Sequence, residues 1–188
     1  MASHRRVYLE KAKMLQLQLS RKVIKEDRLP IPIRYIAGVD VAYARLRSIG
    51  AVAVLDYYTL KLVEIKTASI ATSVPYIPTY LSLREVPPVT SAIKELATKP
   101  DVILADGHGL AHPRRLGFAS HLGLALDTPT IGVAKSILCG KVTEAGQNRW
   151  KPLVYEEEIV GAAVCTRPNV KPVYVSVGHK VYLESAID

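Results

Sequence analysis

Apolar and polar positions along the chain alternate between helical and extended periodicities. From Ser3 to Glu26, Val7, Leu9, Ala12, Leu15, Leu17, Leu19 and Val23 recur among Arg and Lys positions, which predicts a basic amphipathic helix packing on a sheet. Arg28 to Pro32 is a proline-marked linker. Three strands are expected next, Ile33–Ala44, Gly50–Tyr57 and Lys61–Ala71, with short turns at Arg47–Gly50 and Tyr58–Leu60, as in an antiparallel meander. Val74–Pro88 reads as a loop whose four prolines flank two tyrosines and an isoleucine, and a helix runs from near Glu85 to about Ala97.

The stretch from Pro100 to Cys139 has the strongest signature. An uninterrupted apolar run, Val102 to Ala105, is followed by a polar loop, a helix and a second apolar strand, which is a βαβ pattern with a parallel sheet. Beyond it, Gly140–Lys151 reads as a surface loop carrying Lys141, Arg149 and Lys151 toward a substrate. Strands are expected near Ile159–Cys165 and Val173–Val177, and a last helix from about Val181. The resulting fold class is α/β, a mixed central sheet of a three-strand antiparallel meander plus parallel strands, flanked by helices and forming one domain over residues 1–188.

Chemistry concentrates at the ends of these strands. Asp106 closes the first strand of the βαβ unit, where open α/β sheets bind ligands, and Asp-Gly is equally a common turn dipeptide. His112, Arg114 and Arg115 follow in the loop, and Lys135 closes the next strand, so acid and base gather as in a phosphate-handling site. Asp40 interrupts an apolar strand; it either reaches solvent or an arginine, or it ligates a cation. Glu85 at a helix start either complements the helix dipole or joins Asp40 and Asp106. Three carboxylates and a substrate phosphate suit Mg²⁺ and phosphodiester hydrolysis, with Lys135 holding the phosphate.

Composition narrows the partners. The 188 residues carry a net charge of +8, which favours a polyanion, nucleic acid ahead of a membrane surface. The sequence has no signal-peptide core or bilayer-length apolar stretch, and it reads as a soluble cytoplasmic protein working as a monomer. Cys139 and Cys165 fit neither a disulfide framework nor a zinc spacing and are expected in the core. Two Asn, three Gln and two Met against 12 Pro suggest a thermophilic source.

The blocks AGVDVAY, PYIPTYLSLREVP, DGHGLAHPRRLGFASHLG, GVAKSIL and SVGH, in this order, resemble the endonuclease V family over most of the chain from Ile36 onward. The resemblance implies a ribonuclease-H-like fold. It also implies an enzyme that uses Mg²⁺ or Mn²⁺ to cut the second phosphodiester bond 3′ to deoxyinosine in DNA, or to inosine in RNA. By the same resemblance Asp40, Glu85 and Asp106 are the metal-binding acids and Lys135 the active-site lysine, with His112 close to substrate. Pro75, Tyr76, Ile77 and Pro78 form a wedge that fills the gap left by an extruded base, and hypoxanthine lies among Gly107, Gly109, Gly117 and Leu138.

Two departures stand out. Where the family has glycine after PYIP, this chain has Thr79, which lacks glycine's backbone freedom. The family pattern also continues past SVGH to a further metal-binding Asp or His, and the sequence at hand stops at Asp188; water is then expected at that ligand position, and a structural role for His179. Rival readings are a non-catalytic protein that binds deaminated or distorted nucleic acid on the same fold, and a related nuclease for junctions or RNA–DNA hybrids. Retention of all four candidate catalytic residues argues against the first, the PYIP block against the second.

Overall fold

A computed structural model describes residues 2–72, 75–144 and 149–188. The N-terminal helix α1 spans Ala2–Ser20 rather than continuing to Glu26. It stops because the next backbone groups bond elsewhere: Ile24 N–H donates to His179 Nδ1 (3.2 Å), Lys180 N–H to Ile24 O (2.7 Å) and Arg28 N–H to Lys180 O (3.0 Å). Its buried positions among the described side chains are Ala12 and Gln16, and the helix packs on α3 (Phe118–Leu126), whereas Val7, Leu15 and Leu17 of the expected apolar face are exposed. The helix therefore does not lay a leucine stripe on the sheet.

Strands β1 (Tyr35–Ala44), β2 (Arg47–Asp56) and β3 (Leu62–Ala71) form the expected meander. Its first turn is Arg45–Leu46, with Arg45 at φ 53°, so Arg47–Gly50 belongs to β2. At the second turn the Asp56 carboxylate accepts from Tyr58 N–H (3.2 Å) and Thr59 N–H (2.8 Å).

Helix α2 spans Ser82–Lys94, so Pro87 and Pro88 lie inside a helix and not in a loop. The two prolines remove donors from the second turn, a loss that burial of the helix offsets. Pro88 packs so tightly on β2 that a Cβ on Gly50 would lie 2.5 Å from its carbonyl carbon. At the other end the Glu64 carboxylate of β3 accepts from Ala97 N–H (3.1 Å) and Thr98 N–H (2.9 Å). Contacts at both ends thus fix the helix that carries Glu85.

The βαβ unit is β4 (Val102–Asp106), α3 and β5 (Thr130–Ala134). It is followed by β6 (Lys141–Val142), β7 (Trp150–Tyr155), β8 (Glu158–Val164), β9 (Val173–His179) and α4 (Leu183–Ile187). The expected loop Gly140–Lys151 contains β6 and the start of β7, and residues 145–148 of it lie outside the described part. The nine strands among the described residues form one sheet in the order β3-β2-β1-β4-β5-β9-β8-β7-β6, parallel at β1–β4–β5 and antiparallel elsewhere. This is the ribonuclease-H-like α/β arrangement expected from sequence.

Alternation divides the core. Ala37, Val39, Ile103 and Ala105 pack with Val86, Val89, Phe118 and Leu122 of α2 and α3. Val102, Ile131, Val164 and Val175 join a second cluster with Val181 and Ile187. Neither cysteine is a core residue: Cys139 is half-buried and Cys165 exposed. Among the described residues no helix is long and apolar enough to cross a membrane.

Because the Gly50 contact is with backbone, which cannot rotate aside, Gly50→Ala must push α2 off the sheet. A stability loss of about 1 to 3 kcal/mol is expected, read from the denaturant midpoint.

Candidate active site

Parallel pairing of β1 and β4 ends with Val39 opposite Ala105, and the next residues along the two strands are Asp40 and Asp106. Since Val39 and Ala105 are buried against the helices, the two aspartates turn to the other face. There Asp40, Asp106 and Lys135 line one open groove with Gly38 and Val173. Asp40 is exposed, so the expensive buried carboxylate considered from sequence does not arise. Lys135 Nζ donates to Asp106 Oδ2 at 2.6 Å, and this hydrogen bond, with the attraction of Asp106 and Asp40, raises the lysine pKa.

Glu85 approaches from the helix side. Tyr43, three residues beyond Asp40, points to α2 and donates its hydroxyl to Glu85 Oε1 (3.1 Å), with the Arg84 guanidinium 4.3 Å from its ring centroid. Burial raises the Glu85 pKa, Tyr43 opposes that, and the charges of Asp40 and Asp106 push it further up. Each acid has one oxygen engaged, Asp40 Oδ1 by Val41 N–H (2.7 Å), Glu85 Oε1 by Tyr43 and Asp106 Oδ2 by Lys135, and among the described residues the other oxygen accepts no hydrogen bond. Three open oxygens beside one ammonium suit a hard divalent cation. They do not form a finished cage: among the described residues no three acid, histidine or cysteine side chains close on one point.

On the helix side lies a cavity of about 250 Å³, lined by Tyr76, Pro78, Ser82, Glu85, Asp106, Gly107, His108, His112, Gly117, Phe118 and Leu138. Asp106 thus borders both the cavity and the groove. Tyr76, 65% exposed, stands at the cavity's edge with Pro78, while Pro75 is exposed and Ile77 half-buried. Gly107 takes φ 158°, a region essentially reserved for glycine. Gly109 does not line the cavity. It lies beneath it, where an added Cβ would strike Val177 O, and its carbonyl accepts from Gly117 N–H at 2.9 Å.

A family model for endonuclease V matches residues 17–188. The chain belongs to the endonuclease V family. Endonuclease V from the cyanobacterium Nostoc is 50% identical over 184 residues, covering 96% of this chain and 83% of the relative. The crystal structure of endonuclease V from Streptomyces avermitilis superposes with a TM-score of 0.88 at 43% identity, covering 95% of this chain and 80% of that one. That of Ciona intestinalis endonuclease V, in complex with a 24mer DNA containing an inosine followed by a ribo-adenosine, gives 0.85 at 30% identity over 95% and 86%. The chain is accordingly an endonuclease of the deoxyribonuclease V type.

Within this endonuclease V site, two residues expected to face phosphate turn inward. Arg114 stacks 4.3 Å over Tyr80 and donates to Thr79, and Arg115 donates to Glu158 (2.9 Å) and to Tyr155 O (3.1 Å). Lys151 is likewise engaged, by Glu144 (2.5 Å). His112 is buried; its Nδ1 accepts from Arg114 N–H (3.1 Å), which leaves Nε2–H to donate to Thr79 O (3.0 Å). Burial pushes its pKa down to about 4, so the ring is neutral at physiological pH. His179 has the structural role expected of it, joined to Ile24 and facing Asp127. The sequence reading missed Tyr43, which no local pattern distinguishes from a strand tyrosine, and Ser82, a hydroxyl on the cavity wall with no partner among the described residues.

An acid whose folded pKa is raised weakens the fold once the pH exceeds its ordinary value, 4.5 for Glu85, and the penalty is complete above the raised value. Glu85→Gln should therefore raise the melting temperature of the metal-free protein at pH 7 and leave it nearly unchanged at pH 4, as thermal melts across this range will show. Tyr43→Phe, which removes the hydrogen bond favouring the carboxylate, should lower it at pH 7.

Proposed function

We propose that this endonuclease acts on DNA containing deoxyinosine and, with a bound divalent cation, hydrolyses the second phosphodiester bond 3′ to the lesion. The observation that carries the reading is the position of Asp106, shared between a one-base cavity with an aromatic at its edge and an acid–lysine groove open to a backbone. The relative from Ciona intestinalis, of closely similar fold, holds inosine-containing DNA.

The residues fit these roles. Tyr76 and Ile77, stiffened by Pro75 and Pro78, fill the space a flipped nucleotide leaves, and the deaminated base, cheaper to unstack than a paired one, enters the cavity. Ser82 and His108 offer it polar atoms that find no partner among the described residues, on walls that include Gly107, Gly117, Phe118 and Leu138. In the groove Lys135 carries the positive charge that receives the scissile phosphate. Asp40 and Asp106, side by side on one face, would hold Mg²⁺ or Mn²⁺, with Glu85 contributing from the helix side. The bound ion would activate a water and stabilise the leaving 3′ oxygen.

Labelled strands test the reading. A deoxyinosine duplex should be nicked at one position with Mg²⁺ or Mn²⁺ and left intact with EDTA, whereas an undamaged duplex survives both; the matched inosine RNA measures the preference between the two nucleic acids. Asp106→Asn should abolish nicking yet keep binding. That binding should weaken steeply as salt rises, because contacts to phosphate release counterions. Tyr76→Ala should cost about 1 to 3 kcal/mol in discrimination between damaged and normal duplex. Equal loss on both duplexes would make Tyr76 a folding residue.

A further inference from the structure

Thr79 sits at φ 68°, the left-handed backbone region that a β-branched residue rarely occupies. It directly follows the Pro75–Pro78 tip, so its backbone sets the direction in which Tyr76 projects. Three side chains from distant parts of the chain converge on its carbonyl oxygen. Gln16 of α1 donates Nε2–H (3.0 Å), His112 donates Nε2–H (3.0 Å) and Arg114 donates Nη2–H (2.8 Å). Arg114 Nη2 also reaches the Thr79 hydroxyl (2.6 Å), and its Nε–H is accepted by Gln16 Oε1 (2.5 Å).

Gln16 is the key member. It is 1% exposed on a helix whose other described side chains, Ala12 aside, are not buried, and both ends of its amide are spent on this cluster. A buried amide of this kind is retained only with its partners in place, since an unpaired one is costly. It lies one residue before the start of the family match. Thr79 could relax to an ordinary backbone conformation only by turning its carbonyl away from all three donors, which would leave buried N–H groups without acceptors.

We propose that Gln16, His112 and Arg114 form a latch that holds Thr79 in its left-handed bend and so presents the wedge in the conformation that enters a duplex. Gln16 is a positioning residue: it touches neither the cavity nor the groove, and it acts through Thr79 on Tyr76. The latch organises the wedge before substrate arrives, so its contribution falls on duplex DNA, where a base must be displaced and the gap filled, and not on a single strand whose base is already free. The role in cleavage rests on the function proposed above; the latch itself does not.

The test uses the full chain with Gln16→Met, Thr79→Gly and both together. Hydrogen exchange of residues 76–82, measured without DNA or metal, reads the latch independently of activity. Gln16→Met should raise it about tenfold, the equivalent of one buried hydrogen bond, whereas Thr79→Gly, which keeps the carbonyl with its three donors and relieves the bend, should leave it nearly unchanged. For cleavage, Gln16→Met should lower kcat/KM on duplex deoxyinosine by about tenfold and change it by less than about twofold on the single strand. With glycine at position 79 the bend no longer needs enforcing, so the Gln16→Met loss on duplex should shrink. Unchanged exchange in Gln16→Met would overturn the latch, even if wild-type protein cleaves neither substrate and the functional reading falls. Equal losses on duplex and single strand, or effects of the two substitutions that simply multiply, would overturn its role in the wedge. Should Gln16→Met unfold, the exchange of Arg114→Lys, which loses the guanidinium fork that reaches Gln16 and the Thr79 carbonyl together, decides the latch: a rise supports it and unchanged exchange overturns it.

Discussion

The site depends on one register. β1 and β4 pair in parallel with Val39 opposite Ala105, and both side chains are buried beneath α2 and α3. A slip of one residue would turn Val39 and Ala105 to the open face and drive Asp40 and Asp106 into the apolar core, so the hydrophobic effect that fixes the register also fixes the placement of the acids. The aspartates need no attraction for each other to end side by side. Apolar neighbours hold them there, and Lys135, arriving at the end of β5, offsets part of their repulsion.

The helix side of the site is built on α2. Its prolines would break an isolated helix, but here Pro88 seats against Gly50 and the C-terminal end is tied to Glu64. Packing therefore overrides propensity, and the outcome is a rigid carrier for Ser82 and Glu85 at its first turn. Glu85 is held half-buried near two other carboxylates, an arrangement that destabilises the free protein and suits a bound cation. Tyr43 limits that cost by keeping one carboxylate oxygen hydrogen-bonded.

The basic excess of the chain is not simply a nucleic-acid surface. Arg84 lies over Tyr43, Arg114 over Tyr80 and Arg115 over Tyr155, each guanidinium within 5 Å of a ring centroid. These arginines brace loops: Arg114 secures the bend behind the wedge, and Arg115 fastens the loop after β4 to the β7–β8 hairpin at Tyr155 and Glu158. Planar, always charged and rich in donors, arginine suits such bracing better than lysine.

The apolar run Val102–Ala105, the alternating meander and the acids at strand ends were legible in the sequence because strand periodicity and turn chemistry act over a few residues. The blocks AGVDVAY, PYIPTYLSLREVP, DGHGLAHPRRLG and GVAKSIL were enough to indicate the four candidate catalytic residues. Helix α1 was misjudged, since its leucines imply a stripe that the fold does not bury, and the prolines at 87 and 88 drew the loop reading into the first turns of α2, which was expected only from near Glu85. Strand β6 and the start of β7 lay hidden in a polar stretch, where pairing with a neighbour matters more than composition. That Asp40 and Glu85 reach Asp106 from different faces, and that Thr79 keeps a glycine-like bend, was decided only by tertiary structure. The groups holding Thr79 come from positions 16, 112 and 114. No spacing in a linear chain encodes their meeting; it follows from how α1, α2 and the loop after β4 pack together once the sheet has formed.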